Sequence, residues 1–145
     1  MKRDQFTVAV RTPDGRPPTL DIVYDGPADD IDAEFSANGD PLAAADIDAA
    51  FRRRDPPDDE DDTVGVFSLT RRLTGAYLLE ANVDAEAIGN LVAAARETDG
   101  DASYRVRIRP TGDDPTVYEM TTLLVYDSSG ELLRQRSLIP SGVEL

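Results

Sequence analysis

Apolar and polar residues alternate from the first few positions of the chain. Phe6, Val8 and Val10 interleave with Thr7 and Ala9, the period-two signature of a strand with one buried face. Pro13-Asp14-Gly15 supplies turn chemistry, and Leu20, Ile22 and Tyr24 then resume the alternation, so an N-terminal hairpin is predicted. Asp25-Gly26-Pro27 closes it. Ile31 and Phe35, four apart, predict a short helix over 28–36, closed near Asn38-Gly39. Further on, Ile47, Ala49 and Phe51 alternate with Asp46, Asp48 and Ala50, which favours a strand over 46–54.

Asp55-Pro56-Pro57-Asp58-Asp59-Glu60-Asp61-Asp62 is too charged and too rich in Pro to pack, so 55–62 is expected as an exposed acidic loop. Segments 64–70 and 76–83 read as a second hairpin with Gly75 near its turn. Asp84 then stands as an N-cap, and Ile88, Leu91, Val92 and Ala95 form one apolar stripe. That spacing predicts the main helix over 84–97, stopped by Asp99-Gly100-Asp101. Tyr104, Val106 and Ile108 alternate with Arg105, Arg107 and Arg109, a two-faced strand. After the turn Thr111-Gly112-Asp113-Asp114-Pro115, segment 117–126 is expected as one central strand, apolar on both faces near its end. Asp127-Ser128-Ser129-Gly130 has hairpin-loop length, and 132–139 is expected to return as the last strand. Pro140 and Gly142 leave 140–145 an extended C-terminal tail. The sum is a single α+β domain over 1–145. It has seven or eight mostly antiparallel strands, with one main helix covering a sheet face.

Composition narrows the chemistry. The 145 residues carry a formal charge of −14 and contain no His, Cys or Trp. That removes Ser-His-Asp triads, Cys nucleophiles, His bases, His/Cys zinc sites and thiolate-held iron–sulfur clusters. Arg supplies 14 of the 15 cations, with Lys2 the single Lys, and Asp supplies 21 of the 29 acids. Such a surface stays hydrated in molar salt, where the Debye length falls to about 3 Å and self-repulsion fades. A haloadapted cytoplasmic protein is the expectation. No apolar leader opens the sequence, and no run approaches the roughly 18 apolar residues of a membrane span.

The candidate binding residues are arginines. Arg105, Arg107 and Arg109 share one strand face at intervals of about 6.6–7 Å. Arg134 and Arg136 share a face of the expected last strand, and Arg52-Arg53-Arg54 end another. If these strands are neighbours, the sheet carries an arginine patch suited to phosphate, carboxylate or an acidic partner. The plainer alternative is solvent-facing halves of amphipathic strands, paired with nearby acids. Nucleic acid is disfavoured by the net charge and by the few aromatic residues. Asp58-Asp59-Glu60-Asp61-Asp62 lacks the alternating spacing of a calcium loop, and no phosphate-cradling glycine motif occurs. No metal site and no cofactor is expected.

Asp4-Gln5-Phe6-Thr7, Asp48-Ala49-Ala50-Phe51-Arg52 and Arg71-Leu73-Thr74-Gly75 carry a family likeness, as do Leu123-Val125-Tyr126-Asp127 and Leu138-Ile139-Pro140-Ser141-Gly142-Val143. On these segments the chain resembles a family of uncharacterised proteins restricted to halophilic archaea. The resemblance implies habitat and domain extent, and it brings no catalytic residue. The leading expectation is a non-catalytic binding or interaction module that meets a protein or an anionic ligand through the arginine face or a sheet edge. The alternatives are a small carboxylate-dependent enzyme, with or without Mg²⁺, and a homo-oligomer joined through its C-terminal segment.

Overall fold

The computed structural model describes residues 5–12, 17–37, 39–54, 64–97, 103–111 and 114–139. The expected acidic loop 55–62 and the tail 140–145 lie outside the described residues. In chain order the first elements are β1 (Phe6–Arg11), β2 (Thr19–Tyr24), α1 (Ala28–Glu34), β3 (Ser36–Ala37), β4 (Asp40–Pro41) and β5 (Ile47–Arg53). There follow β6 (Val64–Arg71), β7 (Tyr77–Asp84), α2 (Ala85–Arg96), β8 (Tyr104–Arg109), β9 (Thr116–Met120) and β10 (Leu124–Tyr126).

The strands form two four-stranded sheets, ordered β1-β2-β8-β9 and β10-β5-β6-β7, with β3 and β4 as a separate short ladder. In the first sheet β1 pairs antiparallel with β2, β2 runs parallel to β8, and β8 pairs antiparallel with β9. The alternation read from sequence sets its inner face, where Leu20, Ile22, Tyr104, Val106, Ile108 and Met120 are buried. Phe6 lies against Tyr24, ring centroids 5.2 Å apart. In the second sheet β5, β6 and β7 form an antiparallel meander, and β10 adds in parallel beside β5.

Three local features shape that meander. The β6–β7 register shifts between Leu69 and Thr70. The extra β7 residue lets Leu78 and Leu79 both be buried, as a bulge allows. On β6, a Cβ at Gly65 would stand 2.4 Å from the Arg52 carbonyl oxygen and 2.4 Å from the Phe51 ring. Only glycine lets Phe51 lie that close to the neighbouring strand. At the β6–β7 turn Gly75 takes φ +73°, a left-handed conformation that glycine adopts without strain.

Each helix covers core with one stripe. α2 buries Ile88, Leu91, Val92 and Ala95, the predicted set, and packs against β1 and β7. Burying each of the three larger side chains stabilises by about 2 kcal/mol. Glu86 in its first turn and Arg96 in its last match the helix dipole. Asp84 occupies the N-cap position without a side-chain cap bond. α1 buries Ile31, and the Tyr24 hydroxyl donates to Asp30 Oδ2 at 2.7 Å, tying β2 to that helix. This hydrogen bond is the main reason the Tyr24 phenol is raised above its usual range. The buried faces of both sheets and both helix stripes belong to one apolar cluster.

Three expectations need correction. The architecture is two mixed sheets, each with one parallel pairing, and not one mostly antiparallel sheet of seven or eight strands. Segment 117–126 is not one strand: it divides into β9 and β10, which belong to different sheets. Tyr118 and Met120 are buried on β9, but Leu123 and Val125 are buried after it, so the inward parity changes at Thr121-Thr122. There the buried Tyr104 hydroxyl donates to the Thr122 carbonyl at 2.8 Å, fixing the crossing; burial raises that phenol's pKa. Segment 132–139 is not a strand either. Isolated bridges at Leu132 and Leu138 flank a 3₁₀ turn over Arg134–Arg136. Ser137 Oγ donates to the Leu133 carbonyl at 2.8 Å and accepts from the Val125 N–H at 2.9 Å. A side chain thus supplies the bonds that a continuous ladder would have made.

Candidate functional site

Because Leu20, Ile22, Val106 and Ile108 point inward, the intervening positions of β2 and β8 share the outer face of the first sheet. Asp21 stands opposite Ala9 on one side and Arg107 on the other; Arg11 stands opposite Thr19, and Arg109 opposite Val23. Asp21 is 2 % exposed, the single buried carboxylate among the described residues. A buried carboxylate is costly unless its oxygens are paired. Here Arg109 donates in a fork, Nε to Oδ1 at 3.0 Å and Nη2 to Oδ2 at 2.8 Å. Arg11 adds Nε to Oδ2 at 3.3 Å. Both arginines are diagonal neighbours, one from each flanking strand, within reach of long side chains.

Arg107 lies directly opposite Asp21 yet is not its partner; the carboxylate accepts from Arg109 and Arg11 instead. Among the described residues Arg107 has no ion pair and no side-chain hydrogen bond. Arg105 meets Glu119 at 3.4 Å, both side chains well exposed. Such a pair is worth about 0–1 kcal/mol, so Arg105 can exchange it for another anion at little cost. Arg11, Thr12, Thr19, Arg105, Arg107, Pro115 and Val117 line an open depression of about 620 Å³ on this face. Cationic forks, two hydroxyls and a small apolar wall converge there, the chemistry of an oxyanion site.

The structure brings Arg105, Arg107 and Arg109 onto one face, as their spacing indicates, and divides their tasks. Arg109 holds Asp21, while Arg105 and Arg107 face the depression. Arg134 and Arg136 are elsewhere, exposed on the 3₁₀ turn beside β10 of the second sheet. Arg52 and Arg53 belong to β5 of that same sheet, with Arg54 just beyond it, and Arg52 Nη2 donates to the Ser128 carbonyl at 3.3 Å. The three arginine groups are therefore not neighbours: they are separated between two sheets. Arg11 and Asp21 escaped notice as site residues. Their signal was available: each occupies the polar phase of its strand, with Val10, Leu20 and Ile22 on the apolar phase.

Among the described residues no three His, Cys, Asp or Glu side chains come together as a metal-holding group. Among them, too, no helix is long and apolar enough to cross a membrane. A family model described as a family of unknown function, DUF5793, matches residues 1–145. The chain belongs to DUF5793. Membership of DUF5793 confirms the expectation of a family of unknown function matching residues 1–145. Searches of the curated proteins and of the solved structures give no match.

Proposed function

We propose that the protein is a non-catalytic, haloadapted cytoplasmic interaction module that holds an anionic ligand against the outer face of the β1-β2-β8-β9 sheet. The observation that carries this reading is Arg107: a half-buried residue lining the depression, without an ion pair or side-chain hydrogen bond among the described residues, while Asp21 secures Arg109 and Arg11 beside it. A cation kept partly from water with no counter-ion of its own is favourably completed by an anion from outside. The Asp-rich, Lys-poor composition supports the salt adaptation. At molar ionic strength only contact pairs survive screening, so a converging site serves better than a diffuse positive surface.

The test is capture from native lysate at molar KCl by the wild type and by the double variant Arg105→Glu, Arg107→Glu. Arg109 is left in place to preserve Asp21. Bound species are identified by mass spectrometry, with nuclease treatment to detect nucleic acid. An anionic species held by the wild type and lost from a folded double variant supports the reading. Undiminished capture by the variant overturns it.

A further inference from the structure

We infer that the depression beside Arg107 is a site for a phosphomonoester dianion carried on a small, partly apolar molecule. The inference rests on the arginine-face reading and narrows it. Charge is the first reason. Arg11, Arg105, Arg107 and Arg109 share the face with only Asp21 and Glu119 as described carboxylates on those strands. Among these described strand residues the surplus is two positive charges, which a monocarboxylate would half compensate and a phosphomonoester would match.

Donor geometry is the second reason. Arg107 offers a whole guanidinium fork, and Arg11 uses only Nε toward Asp21, so its terminal nitrogens remain for a ligand. Arg105 is held only by its long contact with Glu119. Forks from three strand positions, with the Thr19 hydroxyl between them, suit the three outer oxygens of a phosphoryl group better than the two of a carboxylate. The third reason is the wall. Pro115 and the exposed Val117 border the same depression, and Val117 stands opposite Arg107 in the β8–β9 register. An apolar group attached to the phosphate would lie there. A volume of about 620 Å³ fits a small molecule. A long polyanion would also have to approach a chain of net charge −14.

The experiment titrates the full chain with phenyl phosphate, benzoate and inorganic phosphate at fixed KCl, followed by calorimetry and by backbone and Arg Nε–H NMR shifts. Phenyl phosphate is expected to bind at least about tenfold more tightly than benzoate. Its shifts should centre on Arg105, Arg107, Thr19 and Val117. Arg107→Gln should weaken it about tenfold or more without loss of fold, Val117→Asp should weaken it as well, and Arg136→Gln should change nothing. Equal binding of phenyl phosphate and benzoate, or shifts centred elsewhere, overturns the phosphomonoester assignment. So does a phosphoserine peptide that binds about tenfold more tightly than phenyl phosphate, which would make the ligand protein-borne. An anionic species captured by the wild type and lost from the Arg105→Glu, Arg107→Glu variant, alongside no phenyl phosphate binding, overturns this inference alone. Failure of both measurements overturns the arginine-face reading with it.

Discussion

The outer faces of the two sheets are built by the same alternation and end in opposite states. On the first, four arginines meet two carboxylates, one of the carboxylates is buried beneath them, and Arg107 is left over. On the second, Arg52 shares the face with Asp48, Glu80 and Asp84, and its guanidinium is engaged by the chain's own Ser128 carbonyl. Asp48 is likewise taken, by Arg72 Nε at 2.9 Å. On that face the Arg52 guanidinium has a partner within the chain. The other keeps Arg107 available, while the buried Asp21 fixes Arg11 and Arg109.

That contrast can be broken from the inside first. In the second sheet the sensitive point is the core side of β6, where Gly65→Ala forces a Cβ against the Arg52 carbonyl and the Phe51 ring. We expect a loss of about 3 kcal/mol by urea denaturation, at the upper end for overpacking because a backbone atom cannot swing aside. In the first sheet the sensitive point is on the outside. Asp21→Ala should cost about 2 kcal/mol, below the figure for a wholly buried pair, since Arg109 and Arg11 are 38 % and 64 % exposed and can turn toward water. The matching change on the second sheet, Asp48→Ala, should cost under about 0.5 kcal/mol. Equal losses at Asp21 and Asp48 would contradict the division drawn between the faces.

Much of this was legible in the chain, and the limits of legibility have a physical cause. Alternation at Phe6–Val10, Leu20–Tyr24, Ile47–Phe51 and Tyr104–Ile108 gives each strand and its buried side, because burial of one face acts on every second residue locally. The Ile88, Leu91, Val92, Ala95 stripe gives α2 in the same way. Alternation does not say which strand lies beside which. That β2 accepts β8 in parallel depends on contacts between residues far apart in sequence, and this pairing turns Arg105, Arg107 and Arg109 into neighbours of Asp21. The break between β9 and β10 was written in the parity change from Met120 to Leu123, but the unbroken apolar run from Leu123 to Tyr126 concealed it. The hairpin-length loop at 127–130 suggests a returning strand over 132–139, which would put Arg134 and Arg136 on one strand face. Ser137 instead ties that segment into a turn.

Smaller effects sharpen the comparison. Arg107→Gln should leave thermal stability unchanged within about 0.5 kcal/mol, since it removes no internal bond. A larger loss would mean that Arg107 supports the fold and is not held in reserve. The smallest effect concerns the loop that supplies the Ser128 carbonyl to Arg52. Asp127 Oδ1 accepts from Ser129 Oγ at 2.7 Å and from the N–H groups of Ser129 and Glu131, each at 2.9 Å. The Ser129 side chain foremost, then the backbone bonds, hold its carboxyl below the usual carboxylate range. A lowered folded-state pKa stabilises above the ordinary carboxylate value and is lost as pH falls through the folded one. The melting difference between wild type and Asp127→Ala should therefore be steady near about pH 6 and shrink below about pH 4. A difference that persists unchanged into acid would refute the ionic role of this carboxylate.

The parallel join between β2 and β8 also sets an order in time. Asp21 and Arg109, whose side chains meet in a fork, are separated by 88 positions in sequence. Their encounter closes a large loop, whereas the β1–β2 and β6–β7 hairpins need only short ones. In a refolding experiment the hairpins should appear early and the Arg109–Asp21 contact late. The depression beside Arg107, which draws Arg11 and Thr19 from one end of that loop and Arg105 from the other, would be among the last features to form. Anion binding would then serve as a clock for the completed chain fold, silent in any intermediate that holds its hairpins but has not yet brought β2 and β8 together.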